Sequence, residues 1–351
     1  MPGTAVLALL MFGAASAATS AHGDVRALAT EVAVGSHAGI DAIVVSQHGE
    51  ILATGRHPGL SADRIDIRSA TKSITALLVG IAVDRGLIPS IDTKVSDLLP
   101  ELADAFADPI RAPMTVRDLL TMRSGLDCDD WTPGSPGHED LMYEQSDWLA
   151  FWANVPMREP PGRRFSYCTG NVVALGRILA NTTGKSVPEL AREALFEPLG
   201  VTGARWASWN AGRDTDTGGH LSVAPEGLLA IGQLVLAEGA WRGRQLVSRN
   251  WIRDMTRAHS DIPGRTQRYG VLWWLDETRS PTSPKTRLLL AWGNGGNFIV
   301  VMPELSAVYV SVGRRYNQPE GLEPLHWLRD RILPAMDSAA RRDATPIAVQ
   351  F

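Results

Sequence analysis

A chain of 351 residues, 44% of them hydrophobic and 21% charged, has the composition of a globular protein and is long enough for two interlocked domains. Its formal net charge is −4, and the sequence contains no run of lysine or arginine. The composition therefore excludes the basic surface by which proteins bind nucleic acid or anionic membranes.

Residues 1–21 have the pattern of an export signal. An apolar run over residues 5–12 is followed by Ala15-Ser16-Ala17, an A-x-A cleavage pattern, and the run is too short to span a bilayer. No lysine or arginine precedes the run, so a frayed tail of a cytoplasmic protein is the alternative. We expect an exported protein, periplasmic or secreted, with no membrane span after signal removal.

The segments after the signal predict a helix and a hairpin. The helix covers residues 25–36, and two strand-like runs, 40–46 and 50–54, flank a turn at His48-Gly49. An antiparallel pair near the start of the chain is therefore expected.

The next stretch, Ser69-Ala70-Thr71-Lys72, opens a segment in which nearly every residue from 74 to 83 is apolar or small. Such a helix has no face for water and belongs in a core. Asp84-Arg85-Gly86 then ends it, with Gly86 as the stop. Ser69 and Lys72 are three residues apart, so a helix places both side chains on one face.

This spacing suits a nucleophile and its base. A serine hydroxyl needs a base to take its proton, and a lysine serves only if its pKa is lowered. Apolar burial and the helix dipole are both expected to disfavour the charged form of Lys72. The alternative is an N-cap serine followed by a solvated lysine. It is disfavoured because no other serine has a lysine three residues on and Lys72 introduces a hydrophobic helix.

The remaining sequence predicts an α/β fold of the α+β type, in which an antiparallel sheet is flanked by helices. Residues 22–86 and 207–351 would form an α/β domain from both termini, and 87–206 a mainly helical domain, with the active site in the crevice between them. The late elements are strands at 269–275, 287–292, 298–302 and 307–312 and a final helix at 322–336.

Three segments together resemble a known family, the serine β-lactamase-related hydrolases: Ser69-Ala70-Thr71-Lys72, residues 91–102 and residues 114–126. This family includes class C β-lactamases, D-alanyl-D-alanine carboxypeptidases, family VIII carboxylesterases and 6-aminohexanoate-dimer hydrolases. The resemblance runs from about residue 41 to residue 333 and implies a β-lactamase/transpeptidase-like fold.

The second motif of this family, Tyr-x-Asn, matches Tyr167-Cys168-Thr169. The resemblance implies that Tyr167 shares a proton with Lys72, assists attack by Ser69 and protonates the leaving group. A tyrosine packed under a helix start is the alternative. Thr169 stands where the family often has asparagine, and Asn171 replaces that amide only if it faces the site.

The third motif, Lys-Thr-Gly or His-Thr-Gly on an edge strand, matches Ala291-Trp292-Gly293, whereas Lys285-Thr286-Arg287 lacks the glycine and precedes the strand. By resemblance, the backbone N–H groups of Ser69 and Asn294 form an oxyanion hole. Glycine is expected where the backbone approaches substrate closely, and a tight hairpin turn at Asn294-Gly295 is compatible with this.

Ala291 in place of a lysine or histidine removes the cation that would pair with the carboxylate of a β-lactam or a D-alanyl peptide. A less charged ester or amide is therefore favoured as substrate, although Arg314 or Arg315 offers another source of a cation.

Further side chains are candidates for the borders of the site. Trp292 and Trp131 would wall an acyl pocket, with simple packing as the alternative. The segment Gly218-Gly219-His220 resembles the family's loop beside the site, which makes His220 a substrate contact or a structural residue.

Cys128 and Cys168 are the only cysteines. In an exported protein they would form a disulfide between the loop after Leu126 and the Tyr167 loop, and in a reducing compartment they would stay free. No cluster has metal-site spacing, and Asp127, Asp129 and Asp130 are interpreted as loop caps. No cofactor is expected.

The sequence thus predicts a metal-free serine hydrolase that forms an acyl-enzyme on a small ester or amide, most like a carboxylesterase. The alternatives are a β-lactamase or D-alanyl-D-alanine carboxypeptidase acting on a β-lactam or peptide, and a penicillin-binding-like sensor that is acylated without turnover.

Overall fold

The computed structural model of the chain describes residues 22–59, 64–278 and 285–336. The predicted export signal, residues 1–21, lies outside the described residues. The strands in chain order are β1 Ile40–Gln47, β2 Glu50–Arg56, β3 Ile65–Asp66, β4 Arg205–Trp206, β5 Ser208–Trp209, β6 Asp214–Thr215, β7 Leu221–Val223, β8 Ala240–Trp241, β9 Arg244–Gln245, β10 Ser260–Asp261, β11 Arg268–Tyr269, β12 Trp274–Thr278, β13 Thr286–Gly293, β14 Asn297–Met302 and β15 Ala307–Gly313.

The main sheet has eight antiparallel strands in the order β10-β11-β12-β13-β14-β15-β1-β2. The N-terminal hairpin adds to the sheet through β1, which pairs with β15 so that Val44 lies opposite Val310. The hairpin turns at His48 and Gly49, both with positive φ, as predicted. The expected antiparallel sheet built from both termini is confirmed.

One predicted strand, residues 269–275, is wrong in part. The chain leaves β11 after Tyr269 and re-enters the sheet at Trp274, because Gly270 N–H donates to the Trp273 carbonyl and closes a turn. Leu272 has a φ of +54° within that turn. A run of apolar residues concealed this reversal, since the turn is buried like the strands beside it.

The helices accompany this sheet and fill the segment between its two parts. They are α1 Gly23–Ala33, α2 Thr71–Asp84, α3 Val95–Leu98, α4 Val116–Leu120, α5 Glu139–Tyr143, α6 Trp148–Asn154, α7 Thr169–Thr183, α8 Val187–Ala191, α9 Glu197–Leu199, α10 Pro225–Leu236, α11 Arg249–Met255 and α12 Glu323–Trp327. π-helical turns follow α8 at Arg192–Phe196 and α12 at Leu328–Ile332, and 3₁₀ turns occupy Arg68–Ala70, Pro100–Leu102, Ala105–Ala107, Asn210–Gly212, Pro303–Leu305 and Pro319–Leu322.

Helices cover both faces of the sheet. A Cβ on Gly55 of β2 would overlap the carbonyl of Ala29 in α1, so this helix lies directly on β2. On the other face, a Cβ on Gly232 of α10 would crowd Val308 and Ile299. Cover on both sides explains why every residue of β1 is buried instead of alternate ones.

Helix α2 is buried from Thr71 to Ala82, as its sequence predicts. It ends at Asp84, and the expected stop residue Gly86 follows with a φ of +69°. Between residues 87 and 206 the chain forms α3 to α9 and the short strand β4. The division at residues 86 and 207 stays a prediction. Within the described ranges, no helix has both the length and the hydropathy needed to cross a bilayer.

Candidate active site

Ser69 lies on the 3₁₀ turn that leads into α2, at a cavity of about 350 Å³. Arg68, the residue before it, has a φ of +52°, a conformation that L-residues rarely adopt. The Asp66 side chain holds this turn, because its Oδ1 accepts the Arg68 N–H at 2.9 Å. The turn presents Ser69 to the cavity just before the helix begins.

Lys72 lies one turn further along and is only 1% exposed. Its Nζ donates to Ser69 Oγ at 3.1 Å and to the Gly218 carbonyl at 2.6 Å. The side chain of Tyr167 is hydrogen-bonded to Ser69, and Lys72 Nζ lies 5.1 Å from the centre of the Tyr167 ring. The structure therefore brings Ser69, Lys72 and Tyr167 together. We call these three residues the catalytic floor.

The expected lowering of the Lys72 pKa is wrong. Burial alone lowers it, but anionic neighbours more than offset burial and leave the pKa of Lys72 raised. Burial raises the pKa of Tyr167, while the nearby Lys72 opposes that rise. The pKa values of both groups are thus raised, and part of the rise for Lys72 comes from the negative charge of the Tyr167 phenolate. The neighbours that raise the Lys72 pKa are Tyr167, Glu139, Asp130 and Asp216.

Two carboxylates that line the cavity, Asp130 and Glu139, did not emerge from the sequence as site residues. Asp130 accepts the Thr169 N–H at 2.7 Å and the Glu139 N–H at 2.9 Å. Glu139 accepts from the Thr169 hydroxyl at 2.6 Å and from the Tyr143 hydroxyl at 3.3 Å. Burial, reinforced by the charge of Glu139, raises the pKa of Asp130 to about 7. The interpretation of Asp130 as a loop cap is therefore incomplete.

The segment from Asp216 to Gly218 fixes the other side of Lys72. Asp216 Oδ1 accepts the backbone N–H groups of Gly218 and Gly219, at 3.1 and 2.8 Å. The Thr75 hydroxyl on α2 donates to the Thr217 carbonyl at 2.8 Å. This segment is thereby tied to α2, and the Gly218 carbonyl is held where Lys72 can donate to it.

The end of β13, Ala291-Trp292-Gly293, lies beside the Ser69 turn as predicted. A Cβ on Gly293 would overlap the carbonyl oxygen of Ile67, so glycine is required where β13 meets the Ser69 turn. Asn294 lines the cavity, and its side chain exchanges hydrogen bonds with Asn317, at 2.5 and 2.9 Å. The oxyanion hole formed by the N–H groups of Ser69 and Asn294 stays a prediction.

Aromatic rings line one side of the cavity. Trp131 stacks on Tyr167, with ring centres 5.0 Å apart and planes 11° from parallel. Trp274, absent from the sequence predictions, lies 5.8 Å from Trp131 and 5.1 Å from Trp292. Trp131 and Trp292 thus wall the cavity as expected, and Trp274 joins them. The signal for Trp274 was hidden because residues 269–275 were interpreted as one strand.

The structure corrects the interpretation of Asn171. This residue is fully buried, and its Oδ1 accepts the Trp152 indole N–H at 3.1 Å. It therefore packs between α7 and α6 and does not replace the missing amide. Thr169 occupies that place itself, with its hydroxyl on Glu139.

His220 is held by protein groups and is not among the residues that line the cavity. Its Nδ1 lies 2.7 Å from Asp216 Oδ2, and Arg68 Nη1 lies 2.5 Å from its Nε2. Of the two roles open to His220, the structure supports the structural one, because the ring links the Arg68 turn to the Asp216 loop.

Neither Arg314 nor Arg315 supplies the cation missing at Ala291. Arg314 forms two hydrogen bonds of 2.7 Å with Asp41, and Arg315 donates to the Ala38 carbonyl. The cation that does line the cavity is Arg265, from the loop between β10 and β11. Nothing in the local sequence marks it, because it follows no motif.

A disulfide joins Cys128 and Cys168. It connects the loop that carries Asp130 and Trp131 to the residue directly after Tyr167. The Asp130 side chain spans the same two loops through its bond with Thr169. Among the described residues, no group of histidine, cysteine, aspartate or glutamate has the arrangement of a metal site.

Among characterised proteins, the chain is similar in sequence to several that are named as peptidases or esterases. D-aminopeptidase from Cereibacter sphaeroides is 29% identical over 231 residues, 64% of this chain and 39% of the relative. Esterase EstB from Burkholderia gladioli is 30% identical over 178 residues, 45% of this chain and 44% of the relative. The matches thus span less than half the length of either relative.

Solved structures share the fold. EstCE1, described as a hydrolase with promiscuous acyltransferase activity, superposes with a TM-score of 0.68 at 17% identity over 93% of this chain and 99% of its own. At that identity the likeness shows the fold alone. The profile of the family described as "Beta-lactamase" matches residues 41–323, which is most of the sequence. The chain belongs to the β-lactamase family.

Proposed function

We propose that the protein is a serine hydrolase that works through an acyl-enzyme on a small ester or amide. The observation that carries this proposal is the catalytic floor, where Lys72 Nζ lies 3.1 Å from Ser69 Oγ at the bottom of an open cavity. Family membership supports it, because related chains are named as esterase and D-aminopeptidase.

Each group on the floor has a step to perform. Ser69 Oγ forms a bond to the carbonyl carbon of the substrate, and its proton passes to the Tyr167–Lys72 pair in the form in which that pair has already lost one proton to solvent. The backbone N–H groups of Ser69 and Asn294 stabilise the oxyanion. The pair returns the proton to the leaving group as its bond to carbon breaks, and a water then releases the acid product from Ser69.

A carboxylesterase-like substrate fits the cavity best. Three tryptophans offer apolar surface for an acyl or aryl group, and Ala291 brings no cation next to the nucleophile. The aminopeptidase relative and the family as a whole keep amide and β-lactam hydrolysis as the alternative. A protein that is acylated without turnover is the alternative outside catalysis.

We also propose that the protein is exported to the periplasm or secreted. The disulfide between Cys128 and Cys168 supports this location, because such bonds persist in oxidising compartments. Thiol titration of protein taken directly from the periplasmic and cytoplasmic fractions of its host tests the proposal. Protein found only in the cytoplasm, with two free thiols, would contradict it.

The test of function compares steady-state hydrolysis of 4-nitrophenyl butyrate, a chromogenic cephalosporin and D-alanine 4-nitroanilide. We expect the ester to have the highest kcat/KM, and we expect Ser69→Ala to lower it by at least about 10⁴-fold. Ser73→Ala is the matched control, because Ser73 lies four residues further on, in the first turn of α2, and donates to the Leu272 carbonyl.

Each other outcome has a distinct meaning. Cephalosporin turnover equal to that of the ester would favour a β-lactamase. Release of one product per protein without a steady state would identify the sensor. Unchanged turnover in Ser69→Ala would remove the proposed mechanism.

A further inference from the structure

Arg265 lies at the open side of the catalytic cavity, on the outer layer of the aromatic wall. Its guanidinium carbon lies 4.7 Å from the centre of the Trp131 ring and 5.7 Å from that of Trp274. Trp131 stacks in turn on Tyr167, so one ring separates Arg265 from the catalytic floor. We call Arg265, Trp131 and Trp274 the mouth of the cavity.

The other charged groups of the cavity have partners inside the protein. Asp130 accepts two backbone N–H groups, and Glu139 accepts two hydroxyl groups. Lys72 is surrounded by these carboxylates and donates to Gly218 and Ser69. The acidic side chains therefore serve as counter-charges of Lys72 and are already bonded when substrate arrives.

Arg265 differs from these groups. In the parts of the chain that the structure describes, no carboxylate lies within ion-pair distance of its guanidinium, whereas Arg268, three residues on, pairs with Asp261 at 2.8 Å. A guanidinium stacked over rings keeps its N–H edge free, and that edge matches the two oxygens of a carboxylate. The two tryptophans thus hold the Arg265 guanidinium in place, and its N–H groups face the substrate cavity without a carboxylate partner among the described residues.

We propose that Arg265 binds a carboxylate on the substrate and so determines specificity at the mouth. This inference rests on the proposed function and narrows its substrate class to esters or amides that carry an acidic group remote from the scissile bond. It also explains how the site could bind an acidic substrate without a cation at Ala291. The positive charge is supplied by Arg265, which lies on the loop between β10 and β11, nearer the opening of the cavity.

The alternative role for Arg265 is to cover the two tryptophans without touching substrate. The two roles differ in what they do to neutral and acidic substrates. A cover affects both kinds of substrate equally, whereas a carboxylate receptor affects the acidic one more. The ratio of the two kcat/KM values therefore separates them.

The experiment measures kcat/KM for two matched pairs of esters. One pair is the 4-nitrophenyl monoester of adipic acid and 4-nitrophenyl hexanoate, which places the acid on the acyl side. The other is 3-carboxyphenyl hexanoate and phenyl hexanoate, which places it on the leaving group. Each pair is assayed with the wild type, Arg265→Gln, Arg265→Lys and the control Arg268→Gln.

We expect the acidic-to-neutral ratio of at least one pair to fall about tenfold in Arg265→Gln, the usual size of one lost charge-assisted contact. In Arg265→Lys the ratio should fall less, since lysine keeps the positive charge but loses the paired N–H groups that bind both oxygens of a carboxylate. Arg268→Gln should leave the ratio as in the wild type.

A ratio that stays constant in Arg265→Gln for both pairs would overturn the inference and leave Arg265 as a cover. That result would not affect the proposed function, because hydrolysis of the neutral esters by the wild type, lost in Ser69→Ala, tests it independently. A fall of equal size in Arg268→Gln would show a general effect of surface charge and would also overturn the inference.

Discussion

The catalytic floor and the mouth of the cavity are built in opposite ways. Lys72 is 1% exposed and Tyr167 is 6% exposed. The carboxylates around them, which all accept hydrogen bonds from protein groups, are Asp130, Glu139 and Asp216. Trp131 at the mouth is 41% exposed, and Arg265 beside it has no ion-pair partner among the described residues. The polar groups of the floor are hydrogen-bonded before substrate binds, whereas the Arg265 cation at the mouth is open to a counter-charge on the substrate.

This difference separates reaction from selection. A buried, fully bonded floor holds the nucleophile in one geometry, which is what rate requires. Arg265 and Trp131 of the mouth lie on exposed loops, which accept changes of side chain with little effect on the core. We therefore expect substitutions on the floor to lower the turnover of all substrates and substitutions at the mouth to change the order of preference among them.

The largest effect after loss of the nucleophile is expected from Tyr167→Phe. Removing the hydroxyl takes away the hydrogen bond to Ser69 and a carrier of its proton, so kcat should fall about 10²- to 10⁴-fold for every ester. Tyr269→Phe is the control, because that ring packs edge-on against Tyr167. Equal losses in the two variants would mean that packing matters and the Tyr167 hydroxyl does not.

A smaller effect is expected from removing the disulfide, which ties a loop of the mouth to a loop of the floor. The two cysteines are 40 residues apart, so the chain-entropy relation gives a loss of about 4 kcal/mol in the free energy of unfolding. Denaturant unfolding of the Cys128→Ala/Cys168→Ala double variant measures it. Reductant should destabilise the wild type and leave the double variant unaffected. Equal stability of wild type and variant would contradict this.

The smallest effect concerns pH and tests how the floor balances its charge. Because the pKa values of Lys72 and Tyr167 are both raised, the proton acceptor forms only as pH increases, and kcat/KM should rise toward alkaline pH. Asp130 is ionised above its pKa of about 7 and favours the Lys72 ammonium. Asp130→Asn should therefore move the rising limb to lower pH.

The pH profile of Asp140→Asn, a change at an exposed carboxylate, is the control for this shift. A limb that stays in place in Asp130→Asn, or moves equally in the control, would mean that Asp130 does not set the charge of Lys72. A profile that is already flat at neutral pH would favour the lowered Lys72 pKa expected from the sequence.

Much of the fold was predictable because its signals are local. The apolar run after Lys72, the turn at His48-Gly49 and the strands near the end of the chain each carry their own pattern. The segment at residues 269–275 was not, because Leu272 turns inside an apolar run and burial hides the reversal. Local sequence patterns thus predict helices and strands better than they predict turns that are buried.

The site divides in the same manner. Ser69 and Lys72 are separated by one helical turn, so their spacing in the sequence predicts that their side chains are in contact. Tyr167 was predicted from the second motif of the family. Asp130, Glu139 and Arg265 reach the cavity from two loops and the start of α5, and only the folded chain brings them together. The direction of the Lys72 pKa shift was mispredicted for that reason, since it depends on Tyr167 and on carboxylates, all of them remote in sequence.

The most direct test of the account is intact-mass labelling of the folded protein with a fluorophosphonate, with Ser69→Ala and Ser73→Ala beside the wild type. The account predicts one adduct per chain in the wild type and in Ser73→Ala, and none in Ser69→Ala. Absence of an adduct on the folded wild type, or an adduct that persists in Ser69→Ala, would contradict the claim that Ser69 on the catalytic floor is the nucleophile.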